Sequence, residues 1–303
     1  MKILKILASF AVVALLLSGC GEKSSSPMLK VQHVNSISLP PDGLKIPAPR
    51  SVTIGQGNEI VILDDCAFVT VATNDGKIIR RWKMPDFAIG RPEGVNVMND
   101  GKIVVSDTHY SRVVAFEPDG KISFTFGTKG QGEGQFGNPV GVTHDDKENL
   151  YVSEYGEMNR VQKFTKDGKF ILAFGGNGNG PGKFERASGI TWHDGKVYVT
   201  DAVNNRIQVF DEQGKYLKSF GGKESGFTFY LPYDLYFHGE DLYVVEYGSS
   251  RISKINADGK LEGCFGSPGR DKGNFTTPWG IAVDNQGCIY VADTGNRRIA
   301  VLK

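Results

Sequence analysis

Cysteine is scarce in this 303-residue chain, with four in all, and none stands in a C-x-x-C spacing. This excludes zinc ribbons, thioredoxin-type redox motifs and c-type haem attachment. No apolar run reaches the roughly 20 residues needed to span a bilayer as a helix. The longest, Ile6 to Leu17, is 12 residues. Charge of one sign is missing too: 35 Lys and Arg face 34 Asp and Glu, so there is no basic footprint for nucleic acid. No G-x-S-x-G elbow is present. "GNGNGPGK", Gly176 to Lys183, is not a phosphate loop, because no Ser or Thr follows the lysine and no helix follows the loop.

Glycine is abundant instead, at 39 residues, without the three-residue period of collagen and among many Val, Ile, Tyr and Phe. Turn-dense β structure accounts for that combination. Lys2 and Lys5, the 12-residue apolar run, and then Ser18, Gly19 and Cys20 form a secretory signal peptide. "LSGC", Leu17 to Cys20, resembles the bacterial lipobox, which implies cleavage after residue 19 and acyl chains on Cys20. Residues 1–19 are therefore expected to be removed, and residues 20–29 to be a lipidated cysteine with a polar, flexible tether. Losing Lys2 and Lys5 leaves 33 basic against 34 acidic residues, a net charge of −1. Cys66, Cys264 and Cys288 remain and are expected mostly as buried thiols.

Self-comparison finds a repeat. "RPEGVNV", "GNPVGVT", "RASGITW", "LPYDLYF" and "TPWGIAV" open five copies, whose anchors Gly94, Gly141, Gly189, Asp234 and Gly280 lie 47, 48, 45 and 46 positions apart. A sixth, "APRSVTI", carries Ser51 at the anchor, 43 before Gly94. Each copy continues with an apolar strand ending in an acid, a short loop, a basic residue and another strand, as in "YVTDAVNNRIQVF". A tight-turn dipeptide such as Asp119-Gly120, Asp167-Gly168, Gln213-Gly214 or Asp258-Gly259 follows, then a fourth strand. A period of 40 to 50 residues in strand-rich sequence predicts an all-β propeller of four-stranded antiparallel blades. Six copies predict six blades, at about 46–84, 91–127, 137–175, 184–221, 229–266 and 275–303. The last copy has only three strands. Residues 30–40, "KVQHVNSISLP", are expected to supply its fourth and close the ring.

"PWGIAVD" followed by "IYVADTGNRRIAVL" resembles the NHL repeat, and the resemblance covers residues 30–303. It implies a six-bladed propeller that binds a protein, peptide or glycan partner without chemistry of its own, with no cofactor and no nucleic acid. It also implies an alternative: six-bladed peptidyl amidating lyases of similar fold hold zinc through channel histidines. His144, His193 and His238 recur near the ends of three consecutive innermost strands, but out of register, so their side chains are not expected to converge. No metal ligand set or catalytic residue is assigned. With the lipidated Cys20, the expected address is the bacterial envelope, at the outer membrane or cell surface, as a monomeric propeller.

The repeated acids and bases, Asp107 with Arg112, Glu154 with Arg160, Asp201 with Arg206, Glu246 with Arg251 and Asp293 with Arg298, are expected to clamp one hairpin in each blade. In the first copy Phe68 stands where the arginine should be, leaving Asp64 without its partner. The residue before each anchor does not repeat: Arg50, Glu93, Val140, Ser188, Tyr233 and Trp279. Structural glue should look alike in every copy, so Arg50, Glu93, Ser188, Tyr233 and Trp279 are the candidate binding residues, expected exposed at the channel mouth beside Tyr110, Tyr155, Tyr230 and Tyr247.

Overall fold

The computed structural model describes residues 27–222, 225–256 and 258–303, so the signal segment and Cys20 lie outside the described residues. Six four-stranded antiparallel sheets follow one another along the chain. The first contains Pro49–Ile54, Ile60–Asp64, Phe68–Ala72 and Ile78–Lys83. The second contains Gly94–Val97, Ile103–Asp107, Arg112–Phe116 and Ile122–Phe126. The third contains Asn138–His144, Leu150–Tyr155, Arg160–Phe164 and Phe170–Gly175, and the fourth Ala187–His193, Lys196–Asp201, Arg206–Asp211 and Tyr216–Gly221. Pro232–His238, Asp241–Glu246, Arg251–Ile255 and Leu261–Phe265 form the fifth. The sixth takes Pro278–Val283, Ile289–Asp293 and Arg298–Leu302 from the C-terminal end and His33–Ile37 from the N-terminal end. These are the six predicted blades, and the ring is closed as expected, with Ser36 opposite Ala300 and Ile37 opposite Ile299.

Six buried clusters, one in each seam between neighbouring blades, hold the ring together. Alternate residues of one strand serve opposite seams: Ile60 and Ile62 pack toward the sixth blade, Val61 and Leu63 toward the second. That is why these strands read as unbroken apolar runs rather than as alternating polar and apolar residues. Ile37 and Leu39 extend the seam between the sixth and first blades, while Leu29 and Val31 pack on that between the fifth and sixth. Pro27–Leu29, expected in the free tether, instead pair with the edge of the fifth blade: Leu29 N donates to Cys264 O at 2.9 Å and Cys264 N to Pro27 O at 2.8 Å. Cys66 and Cys264 are buried, Cys288 is half-buried, and all three are free thiols.

The anchor glycines set the radius of the channel. A Cβ on Gly94 would lie 1.9 Å from Val140 O, and one on Gly189 2.6 Å from the Cα of Asp234, so a side chain there would push adjacent innermost strands apart. Among the described residues no helix is long and apolar enough to cross a membrane.

Candidate functional site at the channel mouth

The repeated ion pairs are structural, and each does more than brace its hairpin. Asp201 Oδ2 accepts Arg206 Nε at 2.8 Å while its Oδ1 accepts Glu185 N at 2.7 Å from the incoming crossover. Arg206 Nη2 donates to Gly180 O and Lys183 O in that crossover. The same ties recur at Glu154 with Gly137 N and Arg160, and at Asp293 with Thr276 N and Arg298. In the third, fourth and sixth blades the acid and base thus fasten the long crossover to the blade it enters. Buried phenylalanines at Phe136, Phe184, Phe229 and Phe275 complete these crossovers, a second repeated feature that the sequence reading did not single out.

The expectation that Asp64 lacks a partner is corrected. Arg81, from the fourth strand of the same blade, reaches Asp64 Oδ2 at 3.4 Å and lies 3.6 Å over the Phe68 ring. Asp64 Oδ1 accepts the Cys66 and Phe68 amides. Asp64, Asp65 and Cys66 are close enough to share an ion, but Asp65 is already engaged by Ala48 N at 2.8 Å and Lys45 Nζ at 3.0 Å. Burial pushes the Cys66 thiol up, away from the thiolate a metal needs. The trio does not fit a metal.

The innermost strands enclose a channel space of about 60 Å³, enough for a few water molecules. Asp234, the one carboxylate standing at an anchor, lines it and is half-buried. Desolvation raises its carboxyl to about 7, against the amides of Leu235 and Ile281 that hydrogen-bond to it.

At the crossover end of this channel the structure brings Arg50, Glu93, Tyr233 and Trp279 together. Arg50 Nη1 is 3.5 Å from Glu93 Oε1, and its guanidinium lies 4.6 Å from the centroid of the Trp279 ring. Tyr233 stacks on Trp279 with centroids 5.1 Å apart and planes at 29°. The Tyr233 hydroxyl donates to Glu93 Oε2 at 3.4 Å and accepts from Arg186 Nη2 at 3.0 Å. Tyr155 covers Arg186, ring centroid to guanidinium 4.3 Å. Burial holds the Glu93 carboxyl above its usual range, opposed by Arg50, Arg186 and His109.

The expected exposure of these positions is corrected. Tyr233 is 8% exposed, Glu93 9% and Ser188 not at all, while Arg50 and Trp279 are half-buried. Six strands converge at the mouth, and their unlike side chains pack on one another instead of facing solvent. Arg186 belongs to the cluster and was not among the expected residues. Comparing the residue three before each anchor would have found it, since there an arginine stands only at Arg91 and Arg186, and Arg91 is occupied by the Asp65, Phe87 and Gly90 carbonyls. Tyr110 and Tyr230 lie outside this cluster. Tyr110 caps the Ala88 amide, and Tyr230 is largely exposed.

His144, His193 and His238 sit at the other end. His144 Nδ1 is 2.8 Å from Asn96 Oδ1, and His193 stacks on Phe237 with centroids 4.0 Å apart. These two line one recess of about 330 Å³, whereas His238 lines another with Ile54 and Asn285. Among the described residues no group of three metal-capable side chains includes a histidine.

Ring, seams and crossover clamps define the class: the chain has the NHL-type six-bladed β-propeller fold. Residues 275–302 match the family model described as NHL repeat, and residues 183–264 that described as 6-bladed beta-propeller. The chain is similar to the E3 ubiquitin-protein ligase TRIM71 of Mus musculus, 51% identical over 39 residues, which is 13% of this chain and 5% of that protein; it therefore spans only a small part of the length of these relatives. Among solved structures it is similar to a streptogramin B lyase, with a TM-score of 0.64 at 14% identity, covering 89% of this chain and 96% of that one. An auxiliary nutrient binding protein from Bacteroides ovatus gives a TM-score of 0.66 at 14% identity, covering 90% and 76%. Virginiamycin B lyase from Staphylococcus aureus gives 0.59 at 19% identity, covering 88% and 82%. At these identities the likenesses establish the fold.

Proposed function

We propose that this chain is a binding module of the bacterial envelope, held to a membrane by lipid on Cys20, that captures a protein, peptide or glycan partner at the channel mouth without chemistry of its own. One observation carries the reading. Clamps, seam residues and crossover phenylalanines repeat from blade to blade, whereas the residues at the positions of Arg50, Glu93, Arg186, Tyr233 and Trp279 vary between copies, and these five converge on one opening. The first described residues, Pro27–Leu29, pair with the outer edge of the fifth blade. Solved structures of this fold include both a nutrient binding protein and lyases, so the fold accommodates either use. The zinc-lyase alternative draws no support from His144, His193 and His238, which lie at the far end and do not converge.

The test is capture from native membranes with the wild-type lipidated chain and with an Arg50→Gln, Arg186→Gln variant, alongside metal analysis. A partner retained by the first and lost by the second is the expected result. Equal capture by both removes the mouth as the site, and stoichiometric zinc with turnover would replace the binding reading by the enzymatic one. Cys20→Ala is expected to release the protein from the membrane fraction; its continued extraction only by detergent would refute the lipid anchor.

A further inference from the structure

Resting on the reading of the mouth as a binding site, we propose that its ligand carries a carboxylate, which the mouth holds between the guanidinium edges of Arg50 and Arg186. Both guanidiniums lie over aromatic rings, Arg50 4.6 Å from the centroid of Trp279 and Arg186 4.3 Å from that of Tyr155. A cation held by a ring in this way keeps its charge and its N–H donors for a carboxylate. The two groups are poorly matched within the protein. Among the described residues the single hydrogen bond that either guanidinium donates within 3.5 Å is Arg186 Nη2 to Tyr233 Oη. Arg50 Nη1 is shielded from solvent and has no hydrogen-bond partner, with only the 3.5 Å approach of Glu93 to balance its charge. Among the described residues no carboxylate lies within 4.0 Å of Arg186.

Charge then selects among anions. At the mouth two cations face Glu93, and the other carboxyl lining the channel, Asp234, is pushed up to about 7 and carries only part of a charge at neutral pH, so positive charge is left to spare. A monoanion completes the balance, whereas a phosphate dianion would exceed it and would meet Glu93 at close range in a site of low dielectric. Glu93 itself is 9% exposed, and its contacts with Arg50 and Tyr233, at 3.5 and 3.4 Å, are both long. It competes with the incoming carboxylate for the same donors. Removing its charge should therefore strengthen binding, an effect that damage to the fold would not imitate.

The experiment is calorimetric titration of the full chain with benzoate, with benzamide as its uncharged isostere, and with inorganic phosphate. Benzoate is expected to saturate at one equivalent and to bind at least about tenfold more tightly than benzamide or phosphate, as charge-assisted bidentate contacts require. Arg50→Gln and Arg186→Gln should each weaken benzoate by about tenfold or more, and Glu93→Gln should tighten it. Equal binding of benzoate and benzamide, preference for phosphate, or weaker benzoate binding by Glu93→Gln would each overturn the assignment. If benzoate fails to bind while partner capture still depends on Arg50 and Arg186, the carboxylate assignment falls and the binding-module reading survives.

Discussion

Asp234 Oδ2 accepts the backbone N–H of Ile281 at 3.3 Å, across the seam between the fifth and sixth blades. In the third and fourth blades a hydroxyl from the second strand bridges the corresponding seam. Ser153 Oγ accepts Gly141 N and donates to Ser188 O, and Thr200 Oγ1 donates to Gly189 O and Tyr233 O. In the fifth blade that hydroxyl position is Val245, and the anchor glycine is Asp234. The two departures from the repeat therefore compensate each other, with a channel carboxyl replacing the missing hydroxyl as the seam's polar link.

The substitution makes stability depend on pH. Asp234 titrates near 7 in the fold, above the usual carboxylate range, so the folded state binds its proton more tightly than the unfolded chain does. Its contribution is fully present below about pH 4 and is lost as pH rises through 7. Melting temperature is expected to fall between pH 5 and pH 8, and Asp234→Asn, which keeps an acceptor for Ile281 N, should flatten that slope and be the more stable protein at pH 8. Parallel slopes for the two proteins would refute the assignment.

Deleting residues 30–40 should cost more than one strand's hydrogen bonds. Ile37 and Leu39 are buried at 4% and 3% exposure, each contributing about 1.5–3 kcal/mol of burial, and the bared Arg298–Leu302 strand becomes an open edge. The truncated chain is expected to elute as aggregate in size-exclusion chromatography. A monomer melting like wild type would show that the ring does not need its closing strand.

Much of this architecture was legible because it repeats. The period, the turn dipeptides and the paired acids and bases fixed the blade count, the hairpin register and the closure, since each is a local pattern seen five or six times. What the sequence concealed is tertiary. Arg81 replaces the arginine missing at position 68 from the neighbouring strand, and its side chain had no repeat partner to announce it. Arg186 meets Tyr233 from 47 positions away. The varied residues before the anchors suggested a solvated rim, yet six strands narrowing to one channel bury them against one another.

The crossover clamps predict unequal costs for ion pairs that look alike in sequence. Asp201 is fully buried, and removing its partner by Arg206→Met leaves a buried carboxylate without its cation and takes a donor from Gly180 O and from Lys183 O, which keeps only Gln208 Nε2. A loss of about 3–5 kcal/mol is expected, measured by chemical denaturation. Lys121→Met breaks an equally short contact, 2.7 Å to Asp119, but both partners are exposed to screening solvent and no measurable loss is expected. Equal losses would mean that the Asp201 pair is not acting as a clamp.

Tyr233 separates what the mouth owes to packing from what it owes to polar contact. Its ring is 8% exposed, stacks on Trp279, lies 6.0 Å from Tyr247 and belongs to the seam between the fifth and sixth blades. Tyr233→Ala removes that volume from a rigid convergence of strands that cannot close around the gap, at a cost of about 3–5 kcal/mol. In a domain of this size the melting temperature should fall by roughly 10 °C. Tyr233→Phe keeps the stack and deletes only the hydroxyl between Arg186 and Glu93, with an expected cost of about 1 kcal/mol. That variant should fold normally while its Arg186 guanidinium loses the one hydrogen bond that orients it, so benzoate affinity should drop with little change in melting. Thermal melts of both variants with parallel titrations decide the matter. Wild-type melting of Tyr233→Ala would show that the ring is not part of the core, and wild-type affinity in Tyr233→Phe would show that Arg186 is oriented by stacking alone.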